Sequence, residues 1–143
     1  MIIQEAQIIP VEQNQLFAYL SDVTQRTAYI PMLEDLILLD EPPIQPGSRY
    51  IEVANIAGRQ LKTTYQVVEL LAPERIKVKT IKSVFPIEAS LHLEERLDNT
   101  LLTLELDFSL SGIYKLGAPV VRGIVQQQAK DILERLKTIF EET

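Results

Sequence analysis

The sequence predicts an α+β fold in which a curved antiparallel sheet of about seven strands wraps around one long C-terminal helix, with two short helices after the first strand. Segments 85–97 and 101–110 alternate apolar and polar residues with a period of two, as half-buried strands do. Segment 119–142 repeats apolar residues at spacings of three and four, as amphipathic helices do. Because a sheet with one apolar face must be covered, the terminal helix is expected to lie along that face.

The size and charge of the chain limit its function classes. Its 143 residues, of which 46% are hydrophobic, suit one domain, and we predict a single domain over residues 1–143. The formal charge of -6 repels phosphate backbones, so no nucleic-acid partner is expected. Without a signal-peptide pattern or an apolar run near the roughly 20 residues that span a bilayer, the sequence predicts a cytoplasmic protein without stable membrane insertion. It leaves the oligomeric state open.

The N-terminal part is predicted to contain a strand followed by two short helices. Residues 2–9 lack glycine and proline and end at Pro10, which cannot continue a central strand. Residues 11–20 place apolar side chains along a helical stripe, and residues 24–29 form the second short helix. Residues 36–39 are predicted as a strand because of their leucine and isoleucine content and the proline and glycine residues that follow.

The middle of the sequence is predicted to form antiparallel strands joined by tight turns. Residues 49–55 and 59–70 form a hairpin around Gly58, since glycine tolerates the positive φ that tight turns require. The alternation of the second strand shifts near Val67, which indicates a β-bulge. Residues 75–82 alternate again and are predicted as the following strand.

The terminal helix is predicted to bury one face. Pro119 fits the first turn of a helix, where its missing N–H is no loss. The small residues Gly123 and Ala129 are expected to leave room beneath the helix. The apolar stripe comprises Val121, Val125, Ala129, Ile132, Leu136 and Ile139.

Candidate catalytic and metal-binding residues are few. His92 is the only histidine, and the strand alternation places it on the outer face between Glu88 and Glu94, so it is predicted to be exposed and without a catalytic task. The chain has no cysteine, no zinc-binding or calcium-binding motif, no G-x-S-x-G segment and no glycine-rich phosphate loop. We therefore predict no catalytic residue, no metal site and no cofactor.

Six basic residues lie on neighbouring strands and their turns. A patch of this kind suits an acidic partner, but pairing with Glu88 and Glu94 across a solvated sheet face is the favoured interpretation. Each such exposed pair contributes only a few tenths of a kcal/mol. The six residues are Arg59, Lys62, Arg75, Lys77, Lys79 and Lys82.

Several segments resemble those of a known superfamily. They are residues 9–12 (IPVE), 16–22 (LFAYLSD), 29–31 (YIP), 65–75 (YQVVELLAPER) and 136–141 (LKTIFE). Together with the order of elements, they resemble the SRPBCC superfamily, which includes START-type lipid-transfer domains, plant pollen-allergen-like proteins and polyketide cyclases. The resemblance covers essentially the whole chain, and its motifs are typical of a fold rather than of one activity.

The resemblance implies a helix-grip fold with an elongated apolar cavity between the sheet and the C-terminal helix, closed by the second short helix and the hairpin loops. Ligands of the family are typically lipids, polyketides or sterols. We therefore predict binding or transport of a hydrophobic small molecule, without chemistry. Two alternatives remain: a cyclase- or dehydratase-like enzyme with Tyr29 or Tyr65 as proton donor, and a protein-interaction module.

The residues expected to contact the ligand occupy inward positions. A buried polar group without a partner costs about 1–3 kcal/mol, so inward polar side chains bond one another, hold water or meet a ligand. Residues 24–33 and the hairpin tip Ala57-Gly58 are predicted to gate the cavity, with Tyr29 at its mouth. The polar candidates are Tyr29, Thr63, Tyr65, Thr80, Tyr114 and Gln128. The apolar candidates are Phe85, Ile87, Leu104, Phe108, Val125, Ala129 and Ile132.

Overall fold

Seven antiparallel strands form one sheet, and helices cover one of its faces. The computed structural model describes residues 1–56, 58–83, 86–109 and 117–142. The strands are β1 Ile2–Ile9, β2 Leu33–Leu38, β3 Arg49–Ile56, β4 Arg59–Leu71, β5 Arg75–Ile81, β6 Ile87–Arg96 and β7 Asn99–Phe108. The helices are α1 Gln13–Ser21, a 3-10 turn at Val23–Gln25, α2 Arg26–Tyr29 and α3 Ala118–Glu141. The predicted α+β architecture is confirmed.

The strand order shows how the sheet is assembled. It runs β1-β7-β6-β5-β4-β3-β2, so the first strand of the chain lies beside the last. The register between β4 and β5 shifts between Val67 and Glu69, which confirms the predicted bulge. A second shift, between Leu33 and Asp35, interrupts the pairing of the edge strand β2 with β3. Bulges bend a strand and increase its local twist, which helps a sheet to curve.

The long helix α3 packs mainly on β1 and also contacts β7. Its buried residues are Ala129, Leu133, Leu136 and Phe140. The predicted stripe is therefore partly wrong: Leu133 and Phe140 were not in it, and Val121, Val125, Ile132 and Ile139 are only half-buried. Gly123 is exposed to solvent, so its small size does not create space between α3 and the sheet, contrary to the prediction. The helical period indicates that one face is apolar, but the rotation of α3 on the sheet selects which residues of that face become buried.

The interior consists of two groups of buried side chains. The large core cluster joins α1, α2 and α3 to β1 and to β5, β6 and β7, and it includes Ile3, Leu16, Leu102 and Leu136. The small core cluster contains Val23, Tyr50, Val67 and Val78. The 3-10 turn and α2, rather than α3, thus supply the helical cover near β2 and β3.

None of the helices in the described ranges is long and apolar enough to cross a membrane.

Candidate functional site

A capping interaction positions the short helix α2 over the sheet. The carboxylate of Asp22 accepts hydrogen bonds from the backbone N–H and the hydroxyl of Thr24, at 3.1 and 2.6 Å. Asp22 thereby caps the 3-10 turn, as aspartate commonly does at helix starts. The turn leads directly into α2, which carries Arg26 and Tyr29. The sequence Asp22-Val23-Thr24 therefore sets where these two side chains enter the interior.

Arg26 forms a buried ion pair with Glu52 of β3. Its Nε lies 2.6 Å from Glu52 Oε2, and the two side chains are only 13% and 7% exposed. Burial by itself would lower the pKa of Arg26, but the Glu52 carboxylate raises that pKa well above its ordinary value, so Arg26 remains charged. Because both charges are withdrawn from water, removing either partner would leave an uncompensated buried charge.

Three tyrosines surround this ion pair. Tyr50 and Tyr65 are paired on neighbouring strands, and their rings stack with centroids 5.6 Å apart and planes within 10°. The guanidinium carbon of Arg26 lies 5.8 Å from the centroid of the Tyr50 ring, within the range of a cation–π interaction. The Tyr29 ring contacts Tyr19 of α1 at a centroid distance of 6.0 Å. The Tyr50 ring thus covers the Arg26 guanidinium, and the Tyr65 ring stacks on Tyr50.

Two of the tyrosine hydroxyls are buried without a hydrogen-bond partner. Tyr29 and Tyr50 are 2% and 0% exposed, and within the described ranges neither hydroxyl forms a hydrogen bond of good geometry. Burial raises the pKa of Tyr29 and of Tyr65 to about 12, and it also raises the pKa of Tyr50, although nearby Arg26 offsets part of each shift. All three phenols therefore stay protonated at neutral pH.

A cavity of about 60 Å³ lies where the two core clusters meet. Arg26 and Tyr29 form its polar wall. The remaining lining is apolar and comprises Ile30, Ile76, Val78, Ala89, Leu91, Leu104, Leu106, Ile132 and Leu136. At roughly 30 Å³ per molecule, this volume holds about two waters or one small polar group. The enclosed space in the described ranges is therefore smaller than the elongated cavity expected, and one of its walls is polar.

An open cleft of about 250 Å³ lies beside the cavity, at the end of β5, the start of β6 and the end of β7. Ala89 pairs with Leu106 beside the cavity, and Ile87 pairs with Phe108 beside the cleft, two residues further along the same face. The cleft lining comprises Lys79, Thr80, Pro86, Ile87, Glu88, Asp107, Phe108 and Ser109. The described linings of the cavity and the cleft have no residue in common, and the two neighbouring spaces together are called the path below.

The structure brings six of the thirteen predicted ligand contacts to this path. Tyr29, Leu104 and Ile132 line the cavity. Thr80, Ile87 and Phe108 line the cleft, where the Thr80 hydroxyl accepts a hydrogen bond from the Ile87 backbone N–H at 3.0 Å. Ligand contact by these six residues stays a prediction.

The other predicted contacts lie away from the path or outside the described residues. Tyr65 stacks on Tyr50, and Thr63 pairs with Glu52 across the strands. Gln128 Nε2 lies 3.2 Å from Met32 Sδ. Val125 and Ala129, predicted to border the cavity, are absent from its described lining, and Ala129 is buried in the large core cluster. Phe85 and Tyr114 fall outside the described residues.

The prediction that Tyr29 lies at the mouth of the cavity is wrong. Its side chain is 2% exposed and belongs to the large core cluster, next to Tyr19. Tyr29 is the last residue of α2, and its side chain packs with residues of α1 and α3 in the large core cluster instead of facing the solvent. Of the other predicted gating residues, Ala57 lies outside the described residues.

Three residues of this site were not predicted from the sequence: Arg26, Glu52 and Tyr50. The alternation of residues 50–54 offered a signal, because Tyr50 and Glu52 share one face of β3. That signal was ambiguous, since Val53 on the opposite face is also buried, at 5% exposure. The partner on α2 is 26 residues away in sequence, and no local pattern links the two.

The outer sheet face carries the remaining charged residues. Lys77 pairs with Glu88 at 3.1 Å, as predicted, whereas Glu94 pairs with Arg96 at 2.8 Å. The prediction that His92 is exposed is wrong, because its side chain is half-buried between Arg75 and Thr103 of the neighbouring strands. Over the ranges that the structure covers, no three histidine, aspartate or glutamate side chains converge on a possible metal site.

Solved structures show where this fold occurs. The chain is similar to the ZhuI aromatase/cyclase from Streptomyces sp. R1128, with a TM-score of 0.82 and 14% identity over 99% of this chain and 93% of that one. A START superfamily protein from Mycobacterium smegmatis matches with a TM-score of 0.80 and 14% identity over 99% and 97% of the two chains. A protein from Thermus thermophilus matches with a TM-score of 0.82 and 16% identity over 96% and 95%. These likenesses establish the helix-grip fold.

The sequence itself supports a family assignment. No curated protein matches the chain closely enough to compare. A family model described as polyketide cyclase / dehydrase and lipid transport matches residues 1–141. The chain therefore belongs to the polyketide cyclase/dehydrase and lipid transport family, within the SRPBCC superfamily that its sequence resembles.

Proposed function

We propose that this protein binds a hydrophobic small molecule along the path formed by the cavity and the cleft, and that it does so without chemistry. The observation that carries the proposal is the buried hydroxyl of Tyr29, a residue that lines a largely apolar cavity; this hydroxyl lies near Arg26 but forms no hydrogen bond of good geometry with the described residues. An unsatisfied buried hydroxyl costs about 1–3 kcal/mol. A group that arrives from outside and accepts or donates a hydrogen bond there would remove this cost.

The dimensions of the path support a ligand with two parts. The cavity of about 60 Å³ offers Arg26 and Tyr29 to a small polar group, and the cleft of about 250 Å³, with its mixed polar and apolar lining, offers room for the rest of the ligand. Ile87 and Phe108 supply apolar surface in the cleft. Burial of apolar ligand surface contributes about 25 cal/mol per Å², so this part of the ligand would supply most of the affinity.

The pKa values of the candidate proton donors favour binding over catalysis. General acid–base catalysis is most efficient when the pKa of the catalytic group lies near the working pH. Tyr29 and Tyr65, the candidate proton donors, have pKa values of about 12. Glu52 is held in the ion pair with Arg26 rather than free to act as a base. A cyclase- or dehydratase-like reaction remains the alternative, and turnover distinguishes it.

The test is native mass spectrometry of the protein after incubation with a mixed lipid and polyketide extract. The variant Ala89→Leu fills the cavity from the sheet side and should lose the retained ligand mass. Ala6→Leu is the matched control, because Ala6 is an exposed strand residue on β1 and its variant should retain the ligand. Conversion of the extract compounds would indicate an enzyme.

Two results would contradict the proposal. If no compound is retained by the wild-type protein, the chain is not a carrier. If Ala89→Leu folds and retains ligand as well as Ala6→Leu does, the ligand binds elsewhere.

A further inference from the structure

We infer that the ligand presents a small neutral oxygen group, a hydroxyl or a carbonyl, to Arg26 and Tyr29, and that the site discriminates against carboxylates. The inference rests on the proposed function and specifies the chemical class of its ligand. Three observations carry it: the charge balance of the cavity wall, its hydrogen-bonding groups and its volume.

The charge balance of the wall disfavours an anionic ligand. Arg26 is the charged residue in the described cavity lining, and Glu52 already compensates it at 2.6 Å. A carboxylate entering the cavity would therefore add a third, uncompensated charge beside an ion pair that is already neutral. Burying an unpaired charge costs far more than burying a hydrogen-bonded neutral group.

The hydrogen-bonding groups of the wall suit a neutral oxygen. Arg26 has five N–H donors, of which the Nε–H donates a hydrogen bond to Glu52 at 2.6 Å. The Tyr29 hydroxyl can donate and accept; it lies near Arg26 but forms no hydrogen bond of good geometry with the described residues. A ligand hydroxyl or carbonyl oxygen can accept from either residue, whereas an alkane satisfies neither. A single polar atom on the ligand would thus complete the wall.

The volume of the cavity sets the size of that polar group. About 60 Å³ accommodates a hydroxyl or a carbonyl with its adjacent carbon atoms. Molecules of the predicted class are long-chain alcohols, sterols, phenols and ketones, whose oxygen would point inward.

The test compares four ligands of equal chain length: an alcohol, a methyl ketone, an alkane and an ionised carboxylate. Their dissociation constants are measured by displacement of a fluorescent lipid probe at neutral pH. We expect the alcohol and the ketone to bind at least tenfold more tightly than the carboxylate, with the alkane in between. If the wild-type protein binds the carboxylate as tightly as the alcohol, the inference is overturned.

Charge and hydroxyl variants test the cause of the selectivity. Glu52→Gln leaves Arg26 uncompensated, so the carboxylate should gain at least tenfold relative to the alcohol. Tyr29→Phe keeps the ring, and it should weaken alcohol binding severalfold while leaving alkane binding unchanged. If Glu52→Gln does not fold, the Tyr29→Phe result alone decides whether the polar wall selects the ligand. Asp40→Asn is the control, because its ion pair with Arg49 is exposed and away from the path.

The outcomes separate this inference from the proposed function. If all four compounds bind equally well, or if Tyr29→Phe weakens alcohol and alkane binding alike, the polar wall does not select the ligand and the inference fails alone. If none of the four compounds binds and no extract compound is retained, the proposed function fails as well.

Discussion

Buried hydroxyls are hydrogen-bonded differently in two regions of the molecule, one around β1 and β7 and the other around α2 and β3. Thr100 of β7 is fully buried, and its hydroxyl donates a hydrogen bond to the Val11 carbonyl at 2.9 Å. Tyr50 of β3 is equally buried, but its hydroxyl has no partner in the described part of the chain. Folded proteins normally satisfy such groups, and exceptions call for an explanation. The β1–β7 region thus satisfies its buried hydroxyl internally, whereas the described α2–β3 region leaves buried hydroxyls without a hydrogen bond of good geometry.

The ion pair offers the sharpest test of this contrast. Replacing Glu52 by alanine should lower the free energy of unfolding by about 3–5 kcal/mol, because Arg26 would stay buried without a partner. Replacing Asp40 by alanine, which breaks the exposed pair with Arg49, should cost no more than about 1 kcal/mol. Urea unfolding measures both values. Equal losses would mean that the Arg26–Glu52 pair is effectively solvated.

The apolar region is tested by truncating one of its leucines. Leu102 is fully buried in the large core cluster, so Leu102→Ala should lower stability by about 2–5 kcal/mol. Leu97, in the turn before β7, is 93% exposed, and Leu97→Ala should change stability by no more than about 0.5 kcal/mol. Ligand affinity should be unaffected in both variants, since neither residue lines the path. If Leu102→Ala selectively lost ligand binding, the β1–β7 region would also contribute to the site, and the two regions would not differ in this respect.

Alkaline pH should destabilise the α2–β3 region. The unfolded chain loses the Tyr29 proton near pH 10, whereas the folded protein keeps it until about pH 12. The unfolded state therefore binds fewer protons in this window, and stability falls as the pH rises through it. A shift of this size corresponds to about 3 kcal/mol. Urea unfolding below pH 10 and near pH 12 should show a smaller decline for Tyr29→Phe than for the wild type, and equal declines would contradict the raised pKa.

The smallest effect is expected on the outer face of the sheet. His92→Ala should change stability by no more than about 0.5 kcal/mol and leave ligand retention unchanged, because His92 lies outside the described cavity and cleft linings. A thermal melt and the native mass spectrum check both expectations. A tenfold loss of ligand affinity, equivalent to about 1.4 kcal/mol, would show that a change at His92 on the outer face affects ligand binding.

Sequence patterns alone were sufficient for the architecture and for the family. Alternation in 101–110 and the helical period in 119–142 are local properties, so they predicted β7 and α3 to within a few residues. The shift of alternation near Val67 likewise predicted the bulge. Among site residues, the inward positions Leu104 and Phe108 followed from the same period of two.

Only the tertiary structure determined the polar wall of the cavity. Arg26 and Glu52 belong to different elements, and their meeting depends on the capped turn after α1 and on the register of β3. The burial of Tyr29 and the choice of Leu133 over Val125 on α3 depend on how these helices rotate against the sheet. Periodicity specifies which face of an element is apolar. It does not specify the distant element that packs against that face, and this long-range packing creates the buried charge pair and the unpartnered hydroxyls.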